Sequence, residues 1–129
     1  MGAEELIARA VAARENACAD YSHYKVGSAL LAASGTIHTG CNVENATYGL
    51  TVCAERVALW KALSEGERSF THIAIVTVSD TPASPCGACR QLLWEFCGDF
   101  EVILANLEGF RKTLKLSEIF PRPFGKADL

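Results

Sequence analysis

The chain alternates short apolar runs with polar breaks. Over residues 4–18, Leu6, Ala10, Ala13 and Ala17 recur at three- and four-residue spacing, which predicts a helix with one apolar face. Residues 21–24 read as a loop. Residues 26–33 form a continuous apolar run, short and closed by Ser34-Gly35, and predict a buried strand. Residues 36–43 look like its hairpin partner, and residues 44–51 read as irregular chain. Residues 53–63 are apolar on nearly all sides, which predicts a helix buried mid-domain and stopped by Gly66. The β-branched run over 71–78 predicts a strand. A loop over 79–85 contains two prolines. A helix over 86–97 follows, with Cys89, Leu92, Leu93, Phe96 and Cys97 inward and Gly98 as its cap. Residues 101–105 and 110–114 predict two more strands around a turn near Glu108-Gly109, and a helical turn begins at Ser117 and ends at Pro121.

The predicted order is therefore α, β, β, α, β, α, β, β with a final turn. Strand–helix alternation in the middle calls for a largely parallel part of the sheet, and the opening hairpin makes the sheet mixed. At 129 residues, half of them hydrophobic, one domain with one core is expected across residues 1–129.

The formal net charge of −3, with Lys and Arg scattered, offers no basic face for a polyanion, so no nucleic-acid partner is expected. Glu4, Glu5, Arg9, Arg14 and Glu15 interrupt the first sixteen residues, so no leader peptide is expected there. No run approaches the roughly twenty apolar residues of a membrane span. These features predict a cytoplasmic chain without a membrane partner. Six cysteines in such a chain are read as metal ligands, catalytic groups or buried small residues before disulfides. Cys18, Cys41 and Cys97 stand alone and are read as packing residues. His23, His38 and His72 share no metal-ligand spacing and are read as surface or satisfied polar groups. Glu95 and Asp99 are read as solvated, and Arg90 as a partner for an acid or a charge near the site.

The chemistry is concentrated in Cys53-Ala54-Glu55 and Pro85-Cys86-Gly87-Ala88-Cys89. Three thiolates give Zn2+ three protein ligands and leave its fourth position to water, as a catalytic rather than a structural site does. The Cys-x-x-Cys pair alone would fit half a structural zinc site or a redox pair. The cysteine and glutamate thirty residues earlier make it a hydrolytic site. Both segments feed helices, whose N-termini favour thiolates. Gly87 would let the backbone approach the metal, and Arg56 would donate to the thiolate sulfurs. Glu55 would move protons between water and substrate, a role that suits addition and elimination at an amidine-like carbon.

These motifs resemble those of the small homotetrameric cytidine deaminases, a three-cysteine version of the zinc-deaminase signature. Val26-Gly27-Ser28-Ala29-Leu30 resembles the first strand of that family. Asn42-Val43-Glu44-Asn45-Ala46 resembles its nucleoside-binding segment, and the likeness runs over nearly the whole chain. The resemblance implies a three-layer α/β/α sandwich with a mixed five-stranded sheet, and deamination of cytidine and deoxycytidine. It implies zinc on Cys53, Cys86 and Cys89, with Glu55 as proton shuttle. Asn42 and Glu44 would hold the ribose hydroxyls, and the backbone near Ala46 and Glu55 would face the pyrimidine. Tyr24 stands where the family commonly has a phenylalanine packed on the base; its added hydroxyl needs a partner if buried. Pro123-Phe124-Gly125 is similar to a segment that places a phenylalanine in a neighbouring subunit's site, which implies a homotetramer.

Three other readings remain at this point. A deaminase of another aminated heterocycle, such as a cytosine-type antibiotic, would differ in its substrate panel. A nucleic-acid editor would bind single strands at physiological salt. A zinc-stabilised interaction module would unfold without metal and be indifferent to Glu55→Gln.

Overall fold

A computed structural model describes residues 2–80 and 84–129. Its elements are α1 (Ala3–Arg14), β1 (Gly27–Ala32), β2 (Ile37–Cys41), α2 (Ala54–Ser64), β3 (Phe70–Thr77), α3 (Gly87–Cys97), β4 (Glu101–Asn106), β5 (Arg111–Lys115) and α4 (Leu116–Ile119). Short 3-10 turns occupy Tyr48–Leu50 and Lys126–Asp128. The expected loop over 79–85 is described only at its ends, since residues 81–83 lie outside the described residues.

The five strands form one mixed sheet in the order β2-β1-β3-β4-β5. Among the strands of the described residues only β3 and β4 pair in parallel, while β1 is antiparallel to both of its neighbours and β5 is antiparallel to β4. The parallel part expected from the helix–strand alternation is present but confined to the β3–β4 pair. The β2–α2–β3 unit does join two strands that run the same way, but β1 inserts between them and pairs with each.

Period-two alternation divides the side chains between the sheet's faces. Leu30, Ile73, Ile75, Val102 and Leu104 point into a core closed by Ala58 and Leu59 of α2 and Leu93 of α3. Ala29, Ala74, Val76, Ile103 and Ala105 point the other way, against Leu6, Ile7 and Ala10 of α1. The layers are therefore α2 with α3, the sheet, and α1. Small residues set the spacing. A Cβ at Gly27 would strike the Ala10 carbonyl of α1, and one at Gly40 would strike the Ala54 carbonyl and Ala58 backbone of α2.

α1 is shorter than its apolar spacing predicts. It stops at Arg14 because the following residues are drawn to the segment after β2: the Cys18 N–H donates to the Asn42 carbonyl at 2.9 Å, and the Glu44 N–H to the Cys18 carbonyl at 2.8 Å. α3 ends as expected at Gly98, whose φ of 68° suits glycine. Its inner face is narrower than predicted, since Phe96 is exposed.

Two of the polar readings are also corrected. Asp99 is engaged rather than merely solvated: its carboxylate accepts from the Ser117 N–H at 2.7 Å and the Ser117 hydroxyl at 2.9 Å. The His72 Nδ1 is buried and finds no partner among the described residues. His38 is satisfied, with its ring nitrogens 2.8 Å from Glu65 and 3.2 Å from Glu67.

Candidate metal centre and adjoining cavity

Two helix beginnings meet at the open end of the α2–α3 layer. Cys53 is the N-cap of α2 and Cys86 the N-cap of α3, with Cys89 in the first turn of α3. Apolar packing of both helices on the same sheet face brings these ends together. The three sulfurs lie within 4.8 Å of one another, with Cys53 to Cys86 at 4.0 Å and Cys86 to Cys89 at 3.5 Å. Tetrahedral zinc with Zn–S bonds of about 2.3 Å needs sulfurs about 3.8 Å apart. The observed separations bracket that value, and three soft donors are the set zinc prefers, so the residues fit this metal.

The electrostatics agree. A hydrogen bond from the Cys89 thiol, joined by the Arg56 guanidinium, lowers Cys53 to about 5. The Arg56 Nη2 donates to the Cys53 sulfur at 3.5 Å. The Arg56 Nε is buried with no partner among the described residues. The Cys89 thiol, hydrogen-bonded to Cys53 and buried, is pushed up in return. A Cβ at Gly87 would meet no other residue within 4 Å.

Glu55 follows Cys53 by two residues and lies in the first turn of α2, 5 % exposed. Burial raises its carboxyl to about 7, and the nearby Cys53 charge adds to the rise. A carboxyl poised near neutrality can both take and return a proton under ordinary conditions.

A cavity of about 300 Å³ opens beside this centre, and its walls include Cys53, Glu55, Asn42, Glu44 and Tyr24. The structure thus gathers five of the predicted site residues around one space. Ala46 is exposed and does not line it, and Phe124 lies exposed away from it, its carbonyl accepting from the Gln91 amide at 2.8 Å.

Asn42 and Glu44 are held by local bonds. The Asn42 Oδ1 accepts from the Val26 N–H at 2.9 Å, and its Nδ2 donates to the Tyr24 carbonyl at 2.9 Å. The Glu44 carboxylate accepts from the Tyr21 and Ser22 N–H groups at 3.1 and 3.0 Å and from the Ser22 hydroxyl. These bonds, chiefly those from Ser22, hold the Glu44 carboxyl below its ordinary value. Tyr24 has the partner its hydroxyl requires, the Ser79 hydroxyl at 2.6 Å.

Thr77 and Ser84 are among the wall residues that went unread in the sequence. Thr77 follows Ile73 and Ile75 on the α2–α3 side of β3, and its hydroxyl is buried without a partner among the described residues. Strand parity alone would have placed it there. Ser84 also lines the cavity and accepts from the Arg90 Nη2 at 2.7 Å. Among the described residues Arg90 pairs with no acid: its other nitrogens reach the Pro85 and Ile119 carbonyls at 2.7 and 2.6 Å.

A three-thiol metal centre, a buried carboxyl near neutrality and an adjoining cavity, mounted on an α/β/α sandwich, define a zinc-dependent hydrolase of the deaminase class. The family profile described as cytidine and deoxycytidylate deaminase zinc-binding region matches residues 2–105, and the chain belongs to that family. It is 49 % identical to a cytidine deaminase of Sporosarcina psychrophila, over 100 % of this chain and 96 % of that protein. It is 47 % identical to one of Halalkalibacterium halodurans, over 100 % and 98 %. The crystal structure of a cytidine deaminase from Burkholderia pseudomallei superposes with a TM-score of 0.93 at 46 % identity, covering 96 % of this chain and 100 % of that one.

Proposed function

We propose that this chain deaminates cytidine and deoxycytidine by hydrolysis, giving uridine and deoxyuridine and releasing ammonia. The observation that carries the reading is the buried Glu55, raised to about 7, beside three convergent thiols in a cavity bordered by Asn42 and Glu44. Full-length similarity to cytidine deaminases supports the substrate.

Cys53, Cys86 and Cys89 would hold zinc through their sulfurs. Bound there, zinc supplies the Lewis acidity that makes water a nucleophile near neutral pH. Glu55 takes a proton from the attacking water as the water oxygen bonds to C4, and passes it to N3. Glu55 then carries the remaining hydroxyl proton to N4. The C4–N4 bond breaks, ammonia leaves and the carbonyl of uridine forms, so atoms and charge balance. Arg56 draws charge from Cys53. Asn42 and Glu44 receive the ribose hydroxyls, Tyr24 packs on the base, and the backbone near Glu55 borders the pyrimidine.

Residues 1–129 act as one catalytic domain, which works in the cytoplasm, where its six free cysteines stay reduced. It assembles as a homotetramer in which Phe124, 57 % exposed in the single chain, completes a neighbour's site. Light scattering with Phe124→Ala, which should lose activity and keep its zinc, tests that arrangement.

The central test is an absorbance assay with cytidine run beside metal analysis. The wild type should release uridine and carry one zinc per chain. Glu55→Gln should stay folded and zinc-loaded with turnover down by about 10²–10⁴-fold. Full turnover by Glu55→Gln, or preference for another aminated heterocycle over cytidine, would overturn the reading.

A further inference from the structure

We propose that the Ser84 hydroxyl donates a hydrogen bond to the nucleoside in the cavity, held in that polarity by Arg90. The inference rests on the proposed deamination and adds a specificity-determining residue to it.

A guanidinium has five donors and no acceptor. The Arg90 Nη2 lies 2.7 Å from the Ser84 Oγ, so the serine oxygen must accept. A serine hydroxyl that accepts still has its own proton to give. Among the described residues no acceptor takes that proton, and Ser84 lines the cavity shared by Cys53, Glu55, Asn42 and Tyr24. The arrangement is pinned, because the Nε and Nη1 of Arg90 are tied at 2.7 and 2.6 Å to the Pro85 and Ile119 carbonyls. A bond from a cation to the oxygen also polarises the O–H and strengthens it as a donor.

The cavity therefore offers a donor of fixed direction two residues before the ligand Cys86. Its complement is an acceptor atom, and cytidine has several: the O2 carbonyl, N3 and the sugar oxygens. A ligand presenting an N–H at the same point would place proton against proton and be rejected.

The test uses zinc-loaded full-length protein with cytidine as substrate, comparing wild type, Ser84→Ala, Ser84→Thr, Arg90→Lys and the Ser84→Ala/Arg90→Lys pair. Ser84→Ala should raise KM about three- to tenfold, the worth of one neutral hydrogen bond. Its kcat should stay within about twofold, because the bond is made equally to ground and transition states. Zinc content and Tm should match wild type, and Ser84→Thr should restore KM. Arg90→Lys should raise KM when Ser84 is present and add little when it is absent. An unchanged KM in Ser84→Ala overturns the proposal. So does a fall in kcat at constant KM, or an equal Arg90→Lys factor in both backgrounds. Ser84→Ala matching an active wild type sinks this inference alone, whereas a wild type that releases no uridine sinks the proposed reaction with it.

Discussion

The Arg90 Nη1 donates to the main-chain carbonyl of Ile119 at 2.6 Å, joining the first turn of the second metal-binding helix to the last residue of α4. The same guanidinium holds the Pro85 carbonyl immediately before the ligand Cys86. One side chain thus ties the metal loop to the far edge of the fold. Arg90→Ala should leave these oxygens without donors and cost about 2 kcal/mol, read as a lower denaturant midpoint at matched zinc. Arg90→Lys, with one ammonium in place of a fork, should recover only part of the loss. A midpoint equal to wild type in Arg90→Ala would show that solvent replaces all three bonds.

Thr77 makes the opposite case. Its hydroxyl is buried at the end of β3 and has no partner among the described residues. The Ser79 hydroxyl is taken by Tyr24, and the Asn106 side chain bonds the Ser79 and Asp80 carbonyls and the Glu108 and Phe110 N–H groups. An unmatched buried hydroxyl costs about 1–3 kcal/mol, and valine keeps the shape without the oxygen. Thr77→Val should therefore raise the Tm of the ligand-free protein by a few degrees in calorimetry. A lower Tm would mean that the hydroxyl is partnered in solution.

These two residues show where the sequence is legible. The three ligand thiols and Glu55 could be read because their chemistry follows local spacing, and local spacing survives folding. The strand faces could be read because alternation is a property of the strand itself. Sheet order could not, since the placement of β1 between β2 and β3 depends on which strands meet after α2 has crossed the sheet. The polar partners were equally hidden. Tyr24 meets Ser79 across 55 residues, and Arg90 meets Ile119 across 29. No periodicity encodes such pairs. Asp99 looked like any exposed acid until α4 was seen to begin against it.

That last contact makes stability depend on pH. The hydrogen bonds from Ser117 hold the Asp99 carboxyl below its ordinary value, so the native state prefers the charged form. A depressed folded-state pKa means the contribution is complete above about pH 4, the unfolded value, and fades as pH falls through the folded one. Asp99→Asn keeps the shape and removes the titration. The gap between wild-type and Asp99→Asn denaturant midpoints should be largest near neutral pH and close under acid conditions. A gap that stays constant down to pH 2.5 would assign the effect to shape alone.

Removal of zinc separates a catalytic centre from a structural one. The two hydrophobic clusters that hold the layers together contain none of the three ligand cysteines, so the packing of α1, α2 and α3 on the sheet does not pass through the metal. Chelation should therefore abolish turnover while leaving the far-UV circular dichroism near that of the native protein, with Tm lowered rather than lost. A structural zinc domain would unfold instead. The stripped protein should also carry a chemical mark. With Cys53 lowered to about 5 and Cys97 raised by burial to about 12, brief alkylation at pH 6 should label Cys53 and spare Cys97. Restored zinc should protect Cys53, because a coordinated thiolate is no longer free to attack. Peptide mapping that finds Cys53 labelled equally with and without zinc would mean that this sulfur is not a ligand, and unfolding on chelation would mean that the metal serves the fold.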